Sequence, residues 1–220
     1  MKNIRTLPFV LWLLGISLCF SSVSLAQTQE ELDAAIKASK GKTTKIARKE
    51  SKRLAKEGYS NIAGEMPMDK QLERSIALSY MMDDRGNPKY FLATQVAKAE
   101  TFAASKQQAL QLCIADIASQ IGSNILGTIK ANVANNEALD DATSVTEVIG
   151  AYQNRIMAKL GRVVPVVTLK KMENKLTYIN MTVRYDRAEA LEMVKQDLRQ
   201  ELKDKANLMQ DEIDKILDIK

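Results

Sequence analysis

Histidine is absent from all 220 residues, which removes the commonest general base and the commonest zinc ligand together. Cysteine occurs only at Cys19 and Cys113, so a chain that loses its N-terminal segment keeps one thiol and no internal disulfide. Cys113 falls within a helical apolar pattern and has no histidine to lower its pKa, so a buried, inert thiol is expected. Tryptophan occurs once, at Trp12, and aromatics make up 5% of the chain. The basic stretch from Gln29 to Glu57 holds no aromatic side chain on which bases could stack, so no nucleic-acid partner is expected. No cofactor is expected either. Apolar runs are also scarce: after Phe20 no segment reads as apolar enough to cross a membrane.

The one long apolar run, Leu7 to Phe20, follows Lys2 and Arg5 and leads to Ser24-Leu25-Ala26. Positive charge, apolar core and small residues before a cut make a secretory leader over residues 1–26. The run falls short of the roughly 20 residues of a spanning helix. Leu18 stands where a lipidation signal wants a small residue, so lipid on Cys19 is not expected. An exported protein, periplasmic or associated with an outer membrane, is the expectation.

Charge is unevenly placed. The chain carries +5 overall, yet between Lys37 and Lys56 nine basic residues face Glu50 alone, leaving that window at +8. The window belongs to a helical arm from Gln29 to Glu57 that Gly58 should stop. Its apolar stripe is thin (Leu32, Ile36, Ile46, Ala47, Leu54), which predicts a partly frayed helix that adds little to a core. Lys42, Lys45, Arg48, Lys49, Lys52, Arg53 and Lys56 are the candidate anion-binding residues.

Beyond the arm, Tyr59 to Pro67 reads as a loop and Met68 to Tyr80 as a short helix. Asp83 to Pro88 is dense in turn residues, and Lys89 to Ala97 reads as a strand. A helix from about Glu100 to Ala134 carries Leu110, Ile114, Ile117, Ile121 and Ile125 at helical spacing, with Gly122 and Gly127 allowing close packing or a bend. A second helix is expected from Glu137 to Leu160. Then the period changes: Arg162 to Met172 is β-branched, Glu173 to Lys175 turns, and Leu176 to Tyr185 alternates. Ile179, Met181, Val183 and Tyr185 share one face of that strand; Asn180, Thr182 and Arg184 share the other. Asp186 and Glu189 form a capping box for a last helix, about thirty residues long. Its narrow stripe (Leu191 through Leu217) suits docking on a partner helix, a route to a homo-oligomer.

The resulting expectation is an α+β fold: a two-layer β-α-β-β core, with a three-stranded antiparallel sheet packed on one face by long helices, and helical extensions at both ends. It divides into a leader (1–26), a basic arm and loop (27–66), the β-α-β-β domain (67–190) and a C-terminal amphipathic helix (191–220).

Few motifs carry chemistry. Gly41-Lys42-Thr43 resembles the end of a P-loop, but no strand precedes it and Ile36 stands where the first glycine belongs. Ser39 and Lys42 match S-x-x-K without its companion motifs. Asp83 to Asn87 lacks the alternating ligands and closing glutamate of a calcium loop. Met66, Met68, Met81 and Met82 suit Cu(I), though methionine more often fills irregular cores. No residue pattern argues for an enzyme.

In the alanine-rich helix, Ala97, Ala99, Ala103-Ala104, Ala109 and Ile117-Ala118-Ser119-Gln120-Ile121, with the later strand Tyr178 to Tyr185, resemble the Lpp-twenty small-lipoprotein family over roughly Lys89 to Ala190. The resemblance implies a dodecin-like envelope module without catalytic residues; the residues before Cys19 depart from the family's lipidation pattern. The expected function is non-catalytic: an exported envelope protein that binds anionic lipid, lipopolysaccharide or another envelope protein through its basic helix. A small-ligand or metal carrier, or an enzyme using carboxylate chemistry, are the alternatives.

Overall fold

The structure, a computed structural model, describes residues 30–39, 41–135, 142–206 and 208–218. The expected leader and Cys19 lie outside the described residues. In chain order come α1 (30–38), α2 (Lys42–Lys56), β1 (Ser60–Asn61), α3 (Met68–Ser79), β2 (Tyr90–Ala99) and α4 (Phe102–Ile121). A π-helical turn (Gly122–Leu126) leads into α5 (Gly127–Ala134), then α6 (Ala142–Gln153) and α7 (Ile156–Lys159). The hairpin β3 (Val164–Glu173) and β4 (Leu176–Asp186) is followed by α8 (Arg187–Ala206) and α9 (Gln210–Ile216). The fold is α+β, with one antiparallel sheet in the order β1-β3-β4-β2.

The hairpin forms where the period-2 pattern places it. Asn174 and Lys175 take φ 51° and 65°, the left-handed pair that a two-residue type I′ turn requires. The pairing shifts between Pro165 and Val167, where proline lacks a ladder N–H and Val166 becomes the extra residue of a bulge. Ile179, Met181, Val183 and Tyr185 all enter the main core, with Cys113, Ile117 and Ile121 of α4, Ile149 and Tyr152 of α6, and Val194 and Leu198 of α8.

Four expectations about the elements are corrected first. The sheet has a fourth strand, not three: Ser60 and Asn61, within the expected loop, pair with Lys170 and Leu169. Two residues are too few to show a period. Helices also cover both faces of the sheet rather than one. Beside the main core, Leu54 and Met68 bury Val167 and Leu169, while Leu32, Ala77 and Leu78 bury Tyr90, all on the opposite face.

The third correction concerns the second helix, which breaks after Gln153. Tyr152 is fully buried and donates its hydroxyl to Asp197 at 3.2 Å. The chain turns there, and Arg155 grips both oxygens of Glu201 at 2.8 and 2.7 Å. The residues expected to start that helix, 137–141, lie outside the described residues. Fourth, the last helix is two. Beyond Ala206 the chain turns back as α9, and Asn132 of α5 donates to the carbonyls of Ile216 and Asp218, both at 3.1 Å. Of the stripe expected to meet a partner helix, Leu198, Leu202 and Ile213 are wholly buried within the chain, whereas Met209 is 65% exposed.

The rod Phe102–Ala134 is long and apolar enough to cross a membrane by length and composition, contrary to expectation. Its alanines raise the mean hydropathy, while its stripe of Ile117, Ile121, Ile125 and Ile129 is at most 1% exposed within the core. Gly122 sits at the π turn, where a Cβ would stand 3.2 Å from the Gln153 amide of α6. The expected soft spot is thus a close approach.

Val183 is fully buried, whereas Asn180 lies on the other face and is only partly covered. Val183→Asp places an unpaired charge in the main core and is expected to cost about 4 kcal/mol or more, while Asn180→Asp is tolerated. Thermal melts of the two variants check this; equal tolerance would mean the strand phase is wrong.

Candidate functional site

Helix α2 is separated from α1 by Gly41, at φ 77°, and ended by Gly58, at φ 91°. Its first functional property is its fixed position. Thr43, Ala47 and Leu54 are buried along one side, at 3%, 1% and 3% exposure. The arm is therefore a packed element, which corrects the expectation of a frayed helix with little share in a core. Three residues at the right spacing suffice because α3 supplies the opposing surface.

Helix α3 is itself tied to the sheet. Strand β1 ends after two pairs, leaving the β3 edge open, and the Gln71 side chain continues it. Its carbonyl accepts from Thr168 N at 2.8 Å, and its amide donates to the Met66 carbonyl at 2.7 Å. Glu73, 4% exposed, accepts from Lys70 at 2.8 Å and from the Thr44 hydroxyl of α2. The Lys70 and Thr44 bonds hold its carboxyl below the usual range against the opposing effect of burial. Sheet, α3 and α2 thus form one connected stack.

At 3.6 residues per turn, the seven candidate cations of α2 fall within an arc of about 140°, roughly opposite Leu54. All seven are exposed: Lys42, Lys45, Arg48, Lys49, Lys52, Arg53 and Lys56. Arg53 is engaged by Glu50, at 2.9 Å to one oxygen, and by Glu57. Its hydrogen bond, more than its charge, holds the Glu50 carboxyl below its ordinary range. The other six make no ion pair among the described residues. They form a ridge about 21 Å long at 1.5 Å per residue. Lys37 is exposed on α1; Lys40 lies outside the described residues.

Ile46, expected in the buried stripe, is instead 48% exposed. It borders a groove of about 770 Å³ between the α1–α2 junction and the end of α3, lined by Ala38, Thr43, Ala77, Tyr80 and Met81 among others. Tyr80 is 66% exposed at its rim. Nothing in the spacing of the arm signals this groove, because its other wall, Ala77, Tyr80 and Met81, comes from the end of α3 and the residues just after it.

Other candidate groups are already engaged. A cavity of about 500 Å³ is lined by Glu31, Asp83, Asp84 and Asp186 with Arg85, Lys89 and Arg187. Asp83 accepts from Asn87 N at 2.8 Å and Arg85 N at 2.9 Å, and these backbone bonds depress its pKa. Glu31 pairs with Lys89, and Asp186 caps α8 through Ala188 N and Glu189 N at 2.8 and 3.2 Å. Ser39, of the S-x-x-K match, donates to the Ile36 carbonyl at 2.6 Å and shares a bond with Thr43 at 2.8 Å. Met68 packs into the second-face core, and the Met66 sulfur accepts from Arg74 at 3.5 Å. No cluster of three or more His, Cys, Asp or Glu side chains suited to a metal occurs among the described residues.

No protein-family model, curated protein or solved structure matches the chain.

Two outcomes follow from this geometry. Gln71→Ala strands the Thr168 N–H and the Met66 carbonyl, at an expected cost of about 1–3 kcal/mol. Denaturant unfolding measures it, and an unchanged midpoint would remove Gln71 from the stack. Cys113 is 0% exposed, with its pKa pushed up to about 11 by burial. It should resist a thiol reagent at pH 8 in the native protein and react at once in guanidinium; fast native reaction would contradict the burial.

Proposed function

We propose that the chain is a non-catalytic exported protein of the cell envelope, periplasmic or attached to an outer membrane, that works by binding anionic envelope components through α2. The observation that carries this reading is the ridge of six exposed, unpaired cations on one side of a helix whose other side is buried. A positive surface on a fixed helix attracts polyanions and anionic head groups without first having to be ordered. The leader pattern of residues 1–26 supports export. The resemblance to the Lpp-twenty small-lipoprotein family, over Lys89 to Ala190, supports an envelope module, and membership of that family is part of the proposal.

Anionic vesicles or lipopolysaccharide should pellet the full chain at low salt. Binding should weaken steeply as the Debye length shrinks from about 10 Å at 0.1 M toward about 3 Å at 1 M. Changing Lys45, Arg48, Lys49, Lys52 and Arg53 together to glutamine should abolish it without lowering the melting temperature, because all five are exposed and the change removes like-charge repulsion along the helix. Deleting residues 29–57 is not the equivalent test, since it also strips Leu32, Ala47 and Leu54 from the second-face core. If the parent shows no binding at low salt, or the glutamine variant binds as well, the reading fails.

A further inference from the structure

The ridge has an apolar neighbour. Ile46 lies four residues after Lys42 and three before Lys49, so on the helix surface it stands beside both. It leads from them into the groove between α1, α2 and α3, whose far rim is Tyr80. Thr43 inside the groove already has its hydroxyl bonded to Ser39 at 2.8 Å, so it needs no water there. Ala38, Ala77 and Met81 supply an apolar lining.

A polyanion in solution has a use for the cations and none for an exposed isoleucine and an apolar trough. A membrane lipid has a use for both. Its phosphate meets lysine, its chain meets the apolar lining, and a tyrosine with an apolar body and polar tip suits the boundary between them. We propose, building on the anion-binding reading, that the occupant of this groove is an acyl chain of an anionic phospholipid, with Lys42 and Lys49 at its phosphate and α2 lying along the bilayer surface.

The two parts respond differently to salt, because screening weakens the charge contact and leaves the apolar one. The test uses the full chain with phosphatidylglycerol–phosphatidylcholine vesicles on one side and soluble polyphosphate on the other. At low salt the parent should bind both. At about 1 M salt it should release polyphosphate and retain a fraction on vesicles.

The double variant Ile46→Gln with Tyr80→Gln should lose that retained fraction, by about tenfold or more in affinity, and still bind polyphosphate at low salt. Both side chains are exposed, and an unchanged thermal melt confirms that the variant folds. Vesicle binding that vanishes with salt as completely as polyphosphate binding would leave the ridge in place and overturn the acyl-chain assignment. So would self-association of the parent that the double variant abolishes, which would put a second copy in the groove. Absence of binding to either ligand at low salt would sink the anion-binding reading itself, and this inference with it.

Discussion

Strand β4 is hydrogen-bonded along its length to β3 on one side and β2 on the other, so neither of its faces can rotate to suit a neighbour. Everything else is placed by what those two faces need covered. On one face, Ile179, Met181 and Val183 are at most 1% exposed, and covering them takes α4, α6 and α8 together. On the other, Asn180, Thr182 and Arg184 ask for less. The apolar demand there comes from Val167 and Leu169 of β3 and Tyr90 of β2, and the α1–α3 segment meets it. The asymmetry of the molecule follows: a thick helical layer whose acidic and basic residues pair with one another on one side, and a thin, strongly basic one on the other.

The thin layer adds polar anchoring to its two small apolar clusters. Leu54 and Ala47 bury little surface, and an amphipathic helix with so few apolar contacts would fray if they acted alone. Gln71 continues the short β1 edge, and Glu73 joins Lys70 of its own helix to Thr44 of α2. With both groups nearly or fully removed from water, each bond is costly to break, which makes α3 a rigid seat for α2.

The parts of the fold legible in the sequence are those with a strong period. β4 alternates without interruption, β2 and β3 are recognisable from their β-branched and aromatic residues, and the isoleucine stripe of α4 repeats at helical spacing. The parts missed are those where long-range contacts decide. β1 is two residues whose pairing exists only because the β3 edge is near. The break at Gln153 depends on Asp197 and Glu201 of α8, more than forty residues away. Likewise the C-terminal end of α9 is held by Asn132 of α5, more than eighty residues earlier in the chain. At the candidate site, the cations and their common face were legible because charge and helical spacing are local properties. The groove beside them was not, since Ala77 and Tyr80 come from the end of α3 and the residue after it. Ile46 was misplaced because a stripe of five apolar residues fixes the buried direction of a helix only loosely.

The ridge also bears on stability. Lys45, Lys49 and Arg53 follow one another at intervals of four, as do Arg48, Lys52 and Lys56, and like charges at that spacing repel along a helix. Of these six, only Arg53 is ion-paired among the described residues. Such a helix holds together because its opposite side is anchored, and it does so against a standing repulsion. An anion laid along the ridge relieves the repulsion only in the folded form, where the charges are aligned. Binding and folding of α2 are therefore linked: whatever neutralises the ridge also stabilises the layer that presents it.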